Sequence, residues 1–290
     1  MILDKIKIYS QKVQKNNFLL NTILKTHLLF NIIFIQKPSW SIIWSILSSS
    51  SYKGEELVGV SNHLNWTTFF RDSLQADDFS YVISYINICL SFIHFSLWNN
   101  VLNHKDILYI LFFNHSSIYF LINVYSDLSQ SALKYLKDTE VNINNILIMT
   151  ENLNIRDCLW DQSYLIYSSH KDTLFEITDS FHIELSKPTE ILLTRYFDNT
   201  HDSNLVLDLV FLHLNSMEHN NYHIHLEWKL KSNHAPITVD IHIYKEWVQT
   251  RKQSLSKNSE EEACFTKDLI YSIKCWHSRN HCSIICWQYW

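Results

Sequence analysis

The chain has 290 residues, of which 47% are hydrophobic and 18% charged, so it can bury the core of one large domain or two small ones. The formal net charge of -5 argues against a basic nucleic-acid-binding protein held by phosphate contacts alone. It does not exclude an enzyme that acts on a phosphodiester through a metal ion. Gly occurs 2 times and Pro 3 times, against roughly 20 and about 14 at average usage. Turns with positive φ are therefore expected to use Asn and Asp.

Two stretches, residues 79–104 and 107–126, are almost free of charge and long enough to be considered as membrane helices. Both are rich in β-branched and aromatic residues and contain Ser, Asn and His, which favours strands. The first 17 residues are charged and polar, so no secretory signal is expected. With no such signal, the 6 Cys predict free thiols and an intracellular protein, in the nucleus or the cytoplasm.

The first part of the chain has the pattern strand, helix, strand. Residues 5–13 alternate like a strand, and residues 17–30 have helical spacing with Asn16 or Asn17 as a cap. An apolar run at residues 32–35 predicts the second strand. This order is typical of a crossover unit.

Later segments continue to alternate between strands and helices. Further strands are predicted at residues 57–60, 81–97 (as one or two strands), 106–113, 118–125, 146–149, 205–212 and 237–244. Helices are predicted at residues 126–137, with Leu128 in the apolar stripe, and at residues 172–181. Residues 1–245 are predicted to form one domain, and residues 246–290 a polar linker, a short helix and a disordered tail.

Six short stretches lie near the predicted strands and carry polar side chains. They are Ser10-Gln11-Lys12-Val13, Ile35-Gln36-Lys37-Pro38, Asn123-Val124-Tyr125, Glu151-Asn152-Leu153-Asn154, Leu207-Asp208-Leu209-Val210-Phe211 and Ser232-Asn233-His234-Ala235-Pro236. In this order they resemble the motifs of the endonuclease/exonuclease/phosphatase family, and specifically the endonuclease domain of a non-LTR retrotransposon polyprotein. The resemblance covers residues 5–265. It implies a four-layer α/β sandwich of the deoxyribonuclease-I type, with two facing, mainly antiparallel sheets flanked by helices.

The resemblance also implies metal-dependent nicking of DNA. In such enzymes Mg²⁺ offsets the charge of the attacked phosphodiester, a carboxylate activates water, and a His held by an Asp donates a hydrogen bond to the phosphate. Asp208 and His234 match the Asp-supported histidine. Asn154 and Tyr125 match the residues that hydrogen-bond the phosphate. DNA is the implied partner; no membrane and no protein partner are indicated.

At the positions where the family binds metal and activates water, this sequence has other residues. Lys37 stands at the position of a metal-binding Glu, and Asn233 stands at an Asp near the metal. Asn152 stands at the Asp that activates water, Lys12 where an Asn is expected, and Glu151 where the motif has Gly. Glu151 and Asn152 are predicted to lie in a polar loop that follows the strand at residues 146–149. An amide cannot accept a proton at neutral pH, and an ammonium repels a divalent cation. Mg²⁺ is thus the cofactor that the family implies, but these residues are expected to weaken its binding and impair catalysis.

Two alternatives stay open beside an impaired endonuclease. Lys12 and Lys37 could make the cleft positive without metal, giving a non-catalytic module that binds nucleic acid or phosphate on the same scaffold. The replacements Glu to Lys, Asp to Asn and Gly to Glu each need one G-to-A change, which suggests a degenerate gene copy. Such a copy could also fold poorly, for example if φ at Glu151 is positive.

Other polar residues receive plainer interpretations. His219, His223 and His225 form H-x₃-H-x-H, but this spacing matches no standard zinc site, so coincidence is favoured. The Cys and His residues in 275–286 also match no standard zinc finger, and a disordered tail or a sequence read past a decayed boundary is favoured there. Asp157 and Asp161 are interpreted as solvated loop carboxylates.

Overall fold

The computed structural model describes residues 5–39, 41–44, 56–59, 61, 63–70, 80–91, 93–98, 104–114, 117–139, 145–152, 155–161, 168–188, 193–196, 205–214, 221–229 and 232–243. All of them belong to one compact unit, residues 1–244. The linker, helix and tail expected in residues 246–290, with their Cys and His residues, lie outside the described residues, so the proposed domain division stays a prediction.

The described residues form fourteen strands and three α-helices. The strands are β1 (Lys5–Lys12), β2 (Ile32–Gln36), β3 (Ser41–Trp44), β4 (Glu56–Gly59), β5 (Trp66–Phe69), β6 (Val82–Asn87), β7 (Phe95–Leu97), β8 (Ile107–Asn114), β9 (Ser117–Tyr125), β10 (Ile146–Asn152), β11 (Ile183–Leu185), β12 (Asp208–His213), β13 (Asn221–Ile224) and β14 (Ile237–His242). The helices are α1 (Asn17–Thr26), α2 (Ser131–Asp138) and α3 (Ser169–Ser180).

Two six-stranded sheets form the framework. The first sheet has the order β13-β14-β1-β2-β6-β5, and the second has the order β11-β12-β10-β9-β8-β7. Each has one parallel pair at its centre, β1 with β2 and β9 with β10, and its other neighbours are antiparallel. α1 connects β1 to β2, which confirms the predicted crossover unit.

Three apolar layers hold the sheets and helices together. Between the sheets, buried side chains of both, such as Phe34 and Val210, form one cluster. Leu20 of α1 packs on the outer face of the first sheet, while Leu133 of α2 and Leu174 of α3 pack on the outer face of the second. Each element buries an apolar face against a neighbour, as a layered domain requires. The predicted four-layer α/β sandwich is confirmed.

The register of the strands brings the polar ends of the sequence motifs to one edge of each sheet. In the first sheet, Lys12 at the end of β1 aligns with Gln36 at the end of β2. In the second sheet, Asn152 at the end of β10 aligns with Tyr125 on one side and Asp208 on the other. Aligned residues on neighbouring strands point to the same face, so these side chains form rows.

The two uncharged stretches form strands, as expected. Residues 81–97 divide into β6 and β7, which belong to different sheets and are separated by a short 3₁₀ turn at Ile88–Leu90. In the second stretch, β8 and β9 pair as antiparallel neighbours. None of the described helices is long and apolar enough to span a membrane.

The predicted helix over residues 126–137 is wrong at its start. Asp127 Oδ1 accepts hydrogen bonds from the backbone N–H of Ser129 at 3.0 Å and from its hydroxyl at 2.6 Å, which makes a tight turn. Gln130 then takes a left-handed conformation, and α2 begins only at Ser131. Leu128 lies in this turn with 87% of its surface exposed, so it is not part of the apolar stripe.

Positive φ angles occur at residues that rarely adopt them. Among the described non-glycine residues they are found at Gln14, Lys15, Lys37, Gln130, Asn145 and His182. The expectation that Asn and Asp would take these positions is therefore correct only for Asn145. A left-handed conformation costs an L-residue with a Cβ atom about 1–2 kcal/mol, so the scarcity of Gly leaves strain at several turns.

We predict that His182→Gly stabilises the fold by about 1 kcal/mol. His182 follows α3 with φ of 54°, the position where helices commonly end on Gly. The free energy of unfolding in urea measures the effect. The matched control is His170→Gly in the first turn of α3, which should lower stability by up to about 1 kcal/mol. A loss of stability in His182→Gly would contradict the strain argument.

Candidate functional site

A row of buried polar side chains lies at the edge of the second sheet, facing the first sheet. It consists of Tyr125, Asn152 and Asp208, which are neighbours in the strand register. Asn152 is 0% exposed, and Tyr125 and Asp208 are each 6% exposed. Buried polar groups need hydrogen-bond partners, so the partners of this row define what the site can do.

A chain of hydrogen bonds extends this row into the first sheet. Lys12 Nζ, at the end of β1, donates to Asn152 Oδ1 at 3.0 Å. Asn152 Nδ2 donates to Asp208 Oδ1. Asp208 Oδ2 lies 2.7 Å from His234 Nδ1. Lys12, Asn152, Asp208 and His234 thus form one connected group, which we call the buried relay.

His234 has one ring nitrogen left over. Its Nδ1 contacts Asp208, whereas its Nε2 is buried and has no hydrogen-bond partner among the described residues. The ring itself is 0% exposed. An unsatisfied buried polar atom is costly, so its presence beside charged groups marks a place where a ligand atom could bind.

Several residues position the two ends of the relay. Ser232 Oγ donates to the Lys12 carbonyl at 2.8 Å and accepts the His234 N–H at 3.0 Å. Thr194 Oγ1 accepts the Asp208 N–H at 3.0 Å. Arg195 pairs with His234 through a β-bridge. Thr194 and Arg195 lie in no recognised motif, and nothing in the local pattern of residues 193–196 distinguishes them.

Burial dominates the electrostatics of Lys12. It lowers the pKa of the ammonium from 10.5 to about 8, opposed by the charge of Asp208 and assisted by the charges of Lys37 and Arg195. The ammonium also lies 5.2 Å from the centre of the Tyr125 ring, where a cation is attracted to the aromatic face. Lys12 is thus a cation in a dry site, held by an amide, a carboxylate and a ring.

Asp208 and His234 are a coupled pair. Burial acts to raise the pKa of Asp208, but the charge and hydrogen bond of His234, with Lys12 and Asn152, bring it below its ordinary value. Burial lowers the pKa of His234, although Asp208 opposes the shift. Asp208 is therefore ionised at neutral pH, and it orients the imidazole through Nδ1.

The remaining predicted site residues are placed less centrally. Lys37 lies just after β2, is partly exposed, and donates its N–H to the Tyr81 carbonyl at 2.6 Å. Asn233 Oδ1 accepts a hydrogen bond from Gln14 Nε2. Both flank the buried relay rather than belong to it. Asn154 lies outside the described residues.

This donor set does not fit Mg²⁺, which prefers oxygen ligands in near-ideal octahedral geometry. Asp208 is the one carboxylate of the buried relay, and His234 and Asn152 already bond both of its oxygens. The free side of Asn152 Oδ1 faces the Lys12 ammonium at 3.0 Å. Within the described residues, no three His, Cys, Asp or Glu side chains form a group able to hold a metal.

The structure also bears on the His cluster and on the two Asp residues that the sequence analysis interpreted as non-functional. Both ring nitrogens of His225 are engaged, Nδ1 by Glu227 at 3.0 Å and Nε2 by Thr238 at 2.8 Å, so this histidine has no atom to offer zinc. His219 lies outside the described residues. The interpretation of Asp157 and Asp161 as solvated is wrong, because both are 0% exposed. Asp157 accepts the N–H groups of Leu159 and of Ser168, the residue before α3.

Glu151 differs from expectation in two ways. It belongs to strand β10 rather than to a loop, and it is not among the residues with positive φ. It is 2% exposed, and neither carboxyl oxygen has a hydrogen-bond partner among the described residues. Burial raises its pKa well above the ordinary value. The cost of this replacement therefore comes from desolvation and not from backbone strain.

The solved structures that are similar to this chain include two endonucleases. The endonuclease domain of TRAS1, a telomere-specific non-LTR retrotransposon, has a TM-score of 0.60 at 12% identity, covering 83% of this chain and 100% of that domain. The AP endonuclease LMAP from Leishmania major has a TM-score of 0.53 at 10% identity, covering 83% of this chain and 89% of its own. The chain therefore has the same fold as these two endonucleases.

This likeness of fold agrees with the sequence resemblance, although neither a protein-family model nor a curated protein matches the sequence. The match to the TRAS1 domain covers the whole of that domain, so the likeness extends over the entire sandwich. At 12% identity it establishes the fold alone. The chemistry of this site must be argued from its own side chains.

We predict that Glu151→Met stabilises the fold by about 1–3 kcal/mol at pH 7.5. In the folded chain the raised pKa keeps Glu151 protonated where the unfolded chain has lost the proton. Its contribution to stability is thus fullest below the ordinary pKa and is lost as pH rises toward the folded value. The gain should shrink at pH 5. The measurement is urea unfolding of Glu151→Met at both pH values, with Glu184→Met at an exposed position as control. An equal gain in the free energy of unfolding at pH 5 and pH 7.5 would refute the prediction.

We predict the opposite pH trend for Lys12. Its folded pKa of about 8 lies below the ordinary 10.5, so between these values the unfolded chain binds more protons and stability rises with pH. From pH 7 to 9.5 the wild type should gain about 2 kcal/mol relative to Lys12→Gln. Lys7→Gln changes an exposed lysine of the same strand and should follow the wild type. Parallel stability curves for wild type and Lys12→Gln would contradict the shift.

Proposed function

We propose that this chain is a nuclease-type DNA-binding protein whose metal-dependent phosphodiester hydrolysis is impaired. The phosphate side of the site supports the nuclease type: Asp208 holds His234 at 2.7 Å, and the histidine Nε2 is left for a ligand. The similarity of fold to two endonucleases supports it further.

The single observation that carries the impairment is the hydrogen bond from Lys12 Nζ to Asn152 Oδ1 at 3.0 Å. Asn152 stands at the position expected for the water-activating carboxylate, and an amide oxygen is a far weaker base. The ammonium beside it would repel a divalent cation at close range. Loss of base and metal together should bring hydrolysis near background, although such losses are not additive.

A second function is favoured by the positive groups at the mouth of the site: non-catalytic binding of nucleic-acid phosphate. Lys15 donates its backbone N–H to the Lys37 carbonyl at 2.7 Å, which places two lysines side by side. Lys229 lies over the Tyr196 ring at 5.1 Å, and Tyr196 donates its N–H to the Asn233 carbonyl. Lysines on both sides of the site could follow a phosphate backbone without metal, despite the net charge of -5.

Nicking of supercoiled plasmid with Mg²⁺ or Mn²⁺ tests the impairment. The wild type is compared with a fourfold variant, Lys12→Asn, Lys37→Glu, Asn152→Asp and Asn233→Asp, which restores the expected family residues. We expect nicking only by the variant, with a rate at least about 10²-fold above the wild type. Adding His234→Ala to the variant should abolish the gain. Nicking by the wild type at the variant's rate would overturn the impairment.

Binding to the same DNA in EDTA separates the two functions. Metal-independent binding by the wild type that weakens steeply with salt supports the non-catalytic function, since released counterions drive such binding. The wild type should lose affinity on Lys37→Gln and not on Lys7→Gln, an exposed lysine away from the strand end. Absence of binding at low salt would remove the DNA-binding function altogether.

A further inference from the structure

The buried relay contains more hydrogen-bonding and charge capacity than its own members use. Lys12 Nζ has three N–H groups, and one of them is given to Asn152. Lys37 follows Gln36, the residue of β2 that is paired with Lys12, and its positive charge helps to lower the pKa of Lys12. His234 Nε2 has no partner among the described residues. The one carboxylate of the buried relay, Asp208, is already bonded by His234 and Asn152.

These unused groups match an anion with several oxygens. Two ammonium groups can each donate to a different oxygen, and the imidazole Nε2, which is an acceptor when Nδ1 donates to Asp208, can accept the proton of a third, protonated oxygen. A phosphomonoester supplies three terminal oxygens and a charge of about -1.5 to -2 at neutral pH. A phosphodiester inside a strand supplies two free oxygens and one negative charge. The charge and oxygen count of the site therefore favour the monoester.

The depth of the site favours the same group. Lys12 is 5% exposed and His234 is 0% exposed, so the groups that would bind the anion lie below the surface. A phosphate within a continuous strand carries a sugar on both sides, and both sugars would have to enter with it. A phosphate at the end of a strand, or a free phosphate ion, can enter with at most one substituent.

We propose that this site binds a terminal phosphomonoester without metal, through Lys12, Lys37 and His234 Nε2. The inference rests on the proposed phosphate-binding function and narrows its ligand from any backbone phosphate to a strand end or a free phosphate ion. The ammonium of Lys12 supplies the positive charge that a divalent ion would otherwise bring, and Asn152 and the Tyr125 ring hold it in place.

Fluorescence anisotropy in EDTA tests the inference with one single-stranded 12-nucleotide sequence in three forms: 5′-phosphorylated, 3′-phosphorylated and with hydroxyls at both ends. A 13-nucleotide strand with hydroxyl ends controls for added charge. We expect a terminal phosphate to strengthen binding at least about tenfold, since charge-assisted hydrogen bonds are strong. Lys12→Gln and Lys37→Gln should each bring the ratio of affinities for the phosphorylated and the hydroxyl strand close to 1. Lys7→Gln, with the same charge change, should leave it intact.

The outcomes separate the inference from the proposed function. Equal binding of phosphorylated and hydroxyl strands by the wild type would overturn the inference and leave backbone binding in place. No binding of either strand would overturn both. A preference for phosphate that persists in both Lys12→Gln and Lys37→Gln would also overturn the inference, because another surface would then bind the end. Thermal melts of the variants exclude loss of fold as the cause of a lost preference.

Calorimetric titration with inorganic phosphate distinguishes the two sources of the ligand. Heat of binding that disappears in Lys12→Gln assigns the site to the phosphate ion itself. Binding of phosphorylated strands without any response to inorganic phosphate assigns it to a strand end, with the attached sugar contributing. Both results support a monoester site, whereas failure of both ligands overturns it.

Discussion

The contact between the Lys12 ammonium and the Asn152 amide is the interaction on which the site depends. It joins the end of β1 in the first sheet to the end of β10 in the second, 140 residues along the chain. Asn152 in turn donates to Asp208, and Asp208 contacts His234, so groups from both sheets form one hydrogen-bonded chain. In a dry interior each member must keep its partner, because an unpaired charge there costs several kcal/mol or more. Removal of any one group should therefore disturb the rest.

A second polar contact ties the sheets together beneath the buried relay. Gln36 Nε2 donates to Asn123 Oδ1 at 3.0 Å, and Asn123 Nδ2 donates to the Ile83 carbonyl at 3.0 Å. Both amides are fully enclosed, and they belong to the motifs that carry Lys37 and Tyr125. Apolar packing alone allows sheets to slide, whereas satisfied buried amides accept one register. The contact between Gln36 and Asn123 thus helps to fix the relative position of the two strand ends that carry the site.

The layers of the fold could be predicted from the sequence better than the turns. Apolar alternation and motif order depend on burial, which is strong and periodic, so strands β1, β2, β8, β9, β10 and β14 were identified. The start of α2 was missed because one Asp127 side chain outweighs weak helix propensity, and Glu151 was misplaced because a charged residue suggests a loop. Thr194 and Arg195 could not be found, since only tertiary pairing with residues 205 and 234 brings them to the site.

Under the function proposed for this site, Lys12 and Asn152 are physically coupled, and this limits how metal-dependent hydrolysis could be gained. Asn152→Asp alone would press a second carboxylate against Asp208, and two like charges in contact raise one pKa strongly. The Lys12 ammonium would relieve that repulsion by pairing with the new carboxylate, which would hold the lysine more firmly where a metal would have to bind. Lys12→Asn alone would leave Asp208 without a nearby ammonium. A working metal site thus requires Lys12 and Asn152 to change together, whereas a phosphate-binding site is served by the pair as it stands.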